Sequence, residues 1–223
     1  MGLSYREALL LLPPLLLLTA LWTALSAYPP ERVSATGASG IVSRAILRRR
    51  IFLALVAISL LGVAGEALVD LWAVIYLRGL GAEALASSAA FALFSGAMVA
   101  GRLANSTLIV RWGAAAAIRC TAAAAASAAL LLALGGVLPS VVAFALLALG
   151  VAGVLPTALS AARELLADEG EAAVNGIVAT TYLGFVVGPP TIGWLAELCG
   201  LQPALLIFLA VIAAVMYGLS REL

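Results

Sequence analysis

Hydrophobic positions along the chain fall into seven long runs that are separated by shorter, more polar stretches. Each run is roughly 20 residues long, which is the length that an α-helix needs to cross a hydrocarbon core about 30 Å thick. Backbone polar groups in lipid must be hydrogen-bonded within their own segment, so each run predicts a transmembrane helix. The seven runs are Ala8–Ala27, Ile51–Leu77, Ala86–Val110, Ala114–Leu134, Pro139–Ala162, Ala173–Leu195 and Gln202–Leu219.

Composition supports this interpretation. Hydrophobic residues make up 65% of the chain and charged residues 10%, with a mean hydropathy of +1.18. Soluble domains average about 45–50% apolar and about 25% charged residues, so this chain has too few polar residues to cover one. We therefore expect an all-α, polytopic membrane protein whose main partner is the lipid bilayer.

The positions of the arginines predict how the helices are oriented. All twelve basic residues are arginine, and basic residues collect in cytoplasmic loops. With the N-terminus outside, only Arg6 and Arg78 fall on the outer side, and the other ten fall on or near the inner side. The pattern predicts seven spans with the N-terminus outside and the C-terminus inside.

The longest polar stretch divides the chain into unequal parts. Tyr28–Arg50 is rich in proline, serine, glycine and alanine and ends in a group of arginines, a composition typical of a linker. The sequence therefore predicts a single helix in residues 1–27, a cytoplasmic linker in 28–50 and a six-helix bundle in 51–223. We interpret the first run as a retained span and not as a cleaved signal peptide, because an acidic residue precedes it and two prolines interrupt it.

Several classes of function have no support in the sequence. Histidine, the commonest general base and a frequent metal ligand, does not occur. Cys120 and Cys199 lie in different segments without metal-ligand spacing, and we interpret both as packing residues. No nucleotide-binding loop, nucleophile elbow or basic nucleic-acid surface is recognisable. We therefore expect no enzyme activity, no cofactor and no nucleic-acid partner.

Two acids in the second run stand out. Glu66 and Asp70 are four residues apart and so lie on one helix face. Each costs about 2.5–3.5 kcal/mol at the centre of a membrane, so the pair needs a water-filled cavity, a partner cation or protonation. The pair predicts a proton-binding or polar-substrate site, with solvation at the outer interface as the alternative for Asp70. Trp72 follows as a substrate contact or as an interfacial belt residue.

The sixth run predicts a bendable helix. Gly184 and Gly188 form a pair of small residues on one face, where another helix can approach closely. Pro189 and Pro190 remove two backbone donors and should kink the helix. Gly193 follows one turn later. These five residues predict a gating element.

Three further side chains are candidates for substrate contact or gating. Thr181 and Tyr182 place hydroxyls in the middle of the sixth run as possible substrate contacts. The alternative for the threonines is hydrogen bonding to carbonyls of their own helix. Arg102 lies near the inner end of the third run, where it either reaches the membrane surface or has a structural or gating role.

Three segments resemble the major facilitator superfamily of transporters. GRLANSTLIVRWG, at Gly101–Gly113, resembles the superfamily's inner-loop motif G-R-x-x-G-D-R-x-x-D-R-x-G. GFVVGPPTIGW resembles the glycine–proline helix of many members, and GEALVDLW resembles bacterial permeases related to sugar permeases. The motif positions that match are Gly101, Arg102, Arg111 and Gly113, and those that differ are Asn105, Ser106, Thr107 and Val110.

The resemblance implies a fold and a function. A member has twelve helices in two pseudosymmetric halves, with the substrate between them. Residues 8–27 would be the sixth helix and residues 51–219 the seventh to twelfth, so we expect a fragment of the full transporter, or else a half-size chain that pairs with a second copy. The implied activity is secondary-active, proton-coupled transport of a small molecule across the bacterial inner membrane. A non-transporting remnant or scaffold is the alternative, and import and export both remain open.

Overall fold

The computed structural model describes residues 13–14, 17–22, 25, 45–166 and 169–223. The chain divides into two compact units, Met1–Gly37 and Ala38–Leu223. In the first unit the described residues are helical and exposed. Most of the predicted linker lies outside the described residues, as does about half of the first predicted span, so their prediction is not tested.

All the regular structure in the described part of the second unit is helical. A single 3₁₀ turn, Ile46–Arg48, precedes the bundle. The α-helices are α1 (Arg50–Gly79), α2 (Ala84–Ala133), α3 (Val137–Val151), α4 (Val154–Leu165), α5 (Gly170–Thr181), α6 (Leu183–Cys199) and α7 (Leu201–Leu219).

Helix α2 is long enough to cross a membrane twice. It is 50 residues long, or about 75 Å at 1.5 Å per residue, more than twice the thickness of a hydrocarbon core. Gly113 breaks it with φ 80° and ψ 170°, a left-handed conformation that glycine adopts without steric cost. We name the two parts arm A (residues 84–112) and arm B (residues 114–133).

Two other spans are each built from a pair of helices. Helices α3 and α4 are separated only by Ala152 and Gly153, and α5 and α6 only by Tyr182. Each pair forms one stretch that is long and apolar enough to cross a membrane, and five such stretches occur among the described residues. With α2 divided at Gly113, the described residues of the second unit form six helical stretches of membrane-spanning length, which correspond to the six predicted crossings in residues 51–223.

Helix α1 is the centre of the bundle, because it contacts every other helix of the second unit. Small residues allow these contacts. A Cβ on Gly62 would lie 2.5 Å from Val154 Cγ1, and a Cβ on Gly65 would lie 3.0 Å from Val151 Cγ1. The backbone of α1 therefore approaches the junction of α3 and α4 closely, as small residues permit in membrane bundles.

An aromatic group joins three of the spans. The ring of Phe144 in α3 lies 6.0 Å from that of Tyr76 in α1 and 5.8 Å from that of Phe94 in arm A. All three side chains are buried. Many large apolar side chains elsewhere on the unit are exposed, including Leu85 and Val110, and such a surface is stable in lipid.

Candidate functional site

The central feature of the candidate site is an ion pair between two membrane-spanning segments. Arg102 Nη2 in arm A donates a hydrogen bond to Glu66 Oε1 in α1. A partner cation was one of three environments expected for Glu66, and the structure supplies it. The identity of that cation was not predicted.

The direction of side chains on the two helices brings these residues together. Glu66 lies about 20 Å along α1 from Gly79, whereas Arg102 lies about 27 Å along arm A from Ala84, at 1.5 Å per residue. Helical side chains lean toward the N-terminus of their helix. Consecutive spans run in opposite directions, so their side chains lean in opposite directions along the membrane normal. The Glu66 side chain therefore leans toward the depth of Arg102, and the Arg102 side chain leans toward the depth of Glu66. The long arginine side chain closes the remaining gap.

Glu66 lies near the middle of α1, the level at which a charge in a membrane-spanning helix is most costly. Glu66 is the seventeenth of the 30 residues of α1, about 2 Å from the middle of a helix about 45 Å long. Its side chain is 18% exposed, and that of Arg102 is 56% exposed. Each group balances the charge of the other, so the pair reduces the cost of placing either in the membrane.

Asp70 adds a second acid to the same face, one turn beyond Glu66. It is exposed, and it interacts electrostatically with both Glu66 and Arg102. Two carboxylates therefore lie within the electrostatic reach of one guanidinium, and Glu66 is the one to which it donates a hydrogen bond. When both acids are ionised, this acid–arginine triad of Glu66, Asp70 and Arg102 carries one net negative charge, which a proton or a cationic group can neutralise.

Trp72 lies away from the triad and packs against α6. A Cβ on Gly193 would lie 3.4 Å from Trp72 Cζ2, so the indole ring rests on the glycine. Trp72 Nε1 is buried and has no hydrogen-bond partner among the described residues. A buried donor of this kind is normally satisfied. The predicted role of Trp72 in substrate contact is untested. In that role the unpaired indole N–H would donate a hydrogen bond to the substrate.

The residues at the α5–α6 junction differ in accessibility. Thr181 is 3% exposed, and its hydroxyl donates to the Ile177 carbonyl oxygen at 2.6 Å. Thr180 donates to the Gly176 carbonyl oxygen at 2.9 Å. Both threonines thus bond to their own helix, as the alternative interpretation of the sequence has it. Tyr182 is 67% exposed, and its substrate-contact role stays a prediction, as does that of Thr181.

The glycine–proline helix packs closely against α1, and its span is interrupted at Tyr182. A Cβ on Gly184 would lie 2.6 Å from the Leu60 carbonyl oxygen, and one on Gly188 would lie 3.0 Å from Ala64 Cβ, so both glycines meet α1 closely. Helix α6 continues through Pro189 and Pro190. The predicted kink at the prolines stays a prediction, and the span is interrupted at Tyr182, where Phe185 and Val186 share one carbonyl acceptor. A gating role for these residues is untested.

Asn105 holds the junction of α3 and α4, and the sequence argument did not identify it. Its Nδ2 donates to the Gly153 carbonyl oxygen at 3.1 Å and to Thr157 Oγ1 at 3.0 Å. Thr157 Oγ1 also donates to the Gly153 carbonyl, at 2.7 Å. Pro156, which lacks an N–H, weakens the helix at this point. An asparagine in the middle of a span needs hydrogen-bond partners, and this requirement is the sequence signal that could have identified Asn105.

Arm B makes the corresponding contact from the other side of Gly113. Thr121 Oγ1 donates to the Gly150 carbonyl oxygen at 2.8 Å. Asn105 and Thr121 each lie eight residues from Gly113, and their acceptors are three residues apart in α3–α4. The two arms therefore lie side by side along one span, as a reversal at Gly113 requires.

Gly101, the first glycine of the predicted motif, makes the closest approach in arm A. A Cβ at this position would collide with the Leu149 carbonyl oxygen. The side chain of the next residue, Arg102, is thereby directed beside α1. The motif glycine thus positions the arginine of the ion pair.

Solved structures share this arrangement of helices. The Escherichia coli fucose:proton symporter FucP superposes with a TM-score of 0.77 over 98% of this chain and 55% of the symporter, at 19% identity. A second structure of FucP, a major facilitator superfamily transporter in its outward conformation, superposes with a TM-score of 0.72 over 92% of this chain and 51% of that one, at 20% identity. The chain has the fold of the major facilitator superfamily.

A curated relative is found by sequence. It is an uncharacterized transporter, y4wD, of Sinorhizobium fredii (strain NBRC 101917 / NGR234), 34% identical over 129 residues. That match covers 56% of this chain and 34% of the relative. No protein-family model matches the chain. With the superfamily fold and its apolar helices, the chain is a multi-pass membrane protein. It spans about half the length of the solved structures, and its match covers about a third of the relative.

Proposed function

We propose that this chain forms one half of a secondary-active carrier that moves a small polar molecule across a bacterial inner membrane. The observation that carries the proposal is the acid–arginine triad near the middle of the bilayer. An ion pair alone would be a neutral structural contact. When both acids are ionised, the second acid, one turn away, leaves one negative charge unbalanced, and an unbalanced charge inside a membrane is expensive.

The unbalanced charge supplies a rule for coupling. While the triad is open to water, its excess charge is solvated. When the carrier passes through an occluded state, that water is removed. The conformational change therefore costs more free energy with the triad ionised than with the triad neutral. A proton bound to either carboxylate, or a cationic group on the substrate, makes the triad neutral. Transport and proton binding are thereby linked in both directions, so the same site serves import and export.

The comparisons support the proposal in two respects. The structures that share the fold belong to a protein described as a fucose:proton symporter, and the curated relative is described as a transporter. In carriers of this architecture two bundles rock about a site between them. The proposed activity thus requires a second bundle, which the helices of a first half or a second copy of this chain would provide.

A non-transporting membrane scaffold is the second candidate function. It is favoured by the inner-loop segment, where Asn105 and Ser106 stand in place of the glycine and acid of the superfamily motif. Asn105 ties arm A to the α3–α4 junction, which is a structural use of a position that the motif keeps small. A scaffold would need the hydrogen bonds of Asn105 but not the second acid of the triad.

The test measures solute uptake and proton movement in the same vesicles. The full chain is reconstituted into liposomes that contain a pH-sensitive dye, and L-fucose and a panel of other hexoses are offered under an inward proton gradient. Uptake that brings protons with it, and that Glu66→Gln abolishes or makes insensitive to pH, supports the carrier. Glu83→Gln, at an exposed residue before α2, is the matched control.

Two outcomes separate the candidate functions. Uptake that stays pH-dependent in Glu66→Gln would remove Glu66 from the coupling site. Absence of uptake by the chain alone, restored when the chain is reconstituted together with the helices of a first half, supports a carrier half. Absence of uptake in both forms, with the fold intact, favours the scaffold.

A further inference from the structure

A second concave site lies between arm B and α7. It is a groove of about 580 Å³. Seven of the nine described residues that line it are alanines, and the other two, Arg119 and Tyr217, are polar. The small side chains leave an open channel between two spans. Several of the lining positions, including Ala126 and Ala214, are exposed.

One end of this alanine groove is cationic. Arg119 Nε donates to Ser220 Oγ at 3.3 Å, which uses one of the five N–H groups of the guanidinium. The Arg221 guanidinium lies over the ring of Tyr217, 5.4 Å from its centroid. Two arginines therefore stand at the mouth of an apolar channel, and the single acid that follows Arg221, Glu222, lines a different pocket with Arg50.

The cationic end lies at the membrane surface that the arginines mark as cytoplasmic. Ser220 directly follows α7, and Arg119 lies less than two turns after Gly113, where α2 reverses. Arg50 begins α1 at the same end, since it shares a pocket with Leu219. Clusters of basic side chains at this level attract the anionic headgroups of the inner leaflet.

We infer that the alanine groove binds an anionic phospholipid of the inner leaflet. One acyl chain lies along the alanines, and the phosphate is held by Arg119 and Arg221. The charge distribution selects this occupant over a second copy of the chain. A parallel two-fold contact through the groove would place the Arg119 and Arg221 of both copies at the same depth, where the four like charges repel.

The experiment is native mass spectrometry of the full chain in detergent, titrated with phosphatidylglycerol and, separately, with phosphatidylcholine of the same acyl chains. Wild-type protein is expected to bind phosphatidylglycerol more tightly. The double variant Arg119→Gln, Arg221→Gln is expected to lose about tenfold or more of that affinity, because each basic residue near the surface contributes about 1 kcal/mol. Arg78→Gln, at an exposed arginine of the other predicted surface, should leave binding unchanged.

A second variant tests the groove independently of charge. Ala126→Phe and Ala214→Phe place rings in the channel at exposed positions, where the fold tolerates them. Each should reduce phosphatidylglycerol binding while the melting temperature stays the same. Equal affinity for the two lipids, or binding that neither set of substitutions changes, would overturn the inference. A dimer that the phenylalanine variants dissociate would also overturn it, in favour of a second copy.

Discussion

Arg102 and Glu66 come from consecutive membrane-spanning segments and form an ion pair near the middle of α1. Glu66 lies far from both ends of its helix, where water could solvate its charge, so it depends on Arg102 for a partner. This dependence can be measured separately from transport.

Loss of the arginine should destabilise the bundle. Arg102→Gln is expected to lower the free energy of unfolding by about 2 kcal/mol, less than for a fully buried pair because Arg102 is partly exposed. Thermal unfolding in detergent measures the effect. The double variant Arg102→Gln, Glu66→Gln should recover part of the loss, since it removes both charges. Arg111→Gln, at an exposed arginine of the same arm, should be close to neutral, and additive effects of the two charge deletions would contradict the pairing.

Removal of either acid should end proton binding by the triad. In Glu66→Gln or Asp70→Asn one carboxylate and one guanidinium remain, and these form a neutral ion pair at all intermediate pH values. Difference infrared spectra between acidic and alkaline buffer should show a protonated carboxyl band in the wild type that weakens in both variants. Glu83→Gln should leave the band in place. A band that persists in both triad variants would assign proton binding to another residue.

The asparagine clamp should contribute to stability without affecting proton binding. Asn105→Ala removes two hydrogen bonds to the α3–α4 junction and is expected to cost about 1–2 kcal/mol. Hydrogen exchange of the backbone around Gly153 should accelerate in this variant. Ser106→Ala is the matched control, because the Ser106 hydroxyl bonds only within its own helix, to the Leu103 carbonyl oxygen at 2.8 Å. Unchanged exchange at the junction would contradict the clamp.

The close packing of Gly101 against α3 should be measurable as a loss of stability when one methyl group is added. Gly101→Ala places a Cβ against the Leu149 carbonyl oxygen, and because backbone cannot move aside easily the cost should be about 1–3 kcal/mol. Gly96→Ala lies in the same arm with no atom within 4 Å of the added Cβ, so it should be neutral or slightly stabilising. Equal melting temperatures for the two variants would show that arm A is not held against α3.

Hydropathy was sufficient to predict the crossings of the second unit, because membrane thickness fixes the length of each run. It also directed attention to Glu66 and Asp70, since acids are rare inside spans. It could not predict that Arg102 faces Glu66, because adjacency of two spans does not fix the rotation of either about its axis. The contact of Asn105 with Gly153 joins residues 48 apart and depends on packing that no local pattern encodes. The interruption of the span at Tyr182 was not predicted, because Tyr182 carries neither the missing N–H of proline nor the backbone freedom of glycine.

The reversal at Gly113 has a mechanical consequence. Arms A and B share one non-helical residue, and hydrogen bonds at equal distances on either side of it hold both to the same span. The two arms and the α3–α4 junction are therefore tied together on both sides of Gly113. A displacement of arm A at the ion pair would be passed through these hydrogen bonds to arm B and so to the alanine groove.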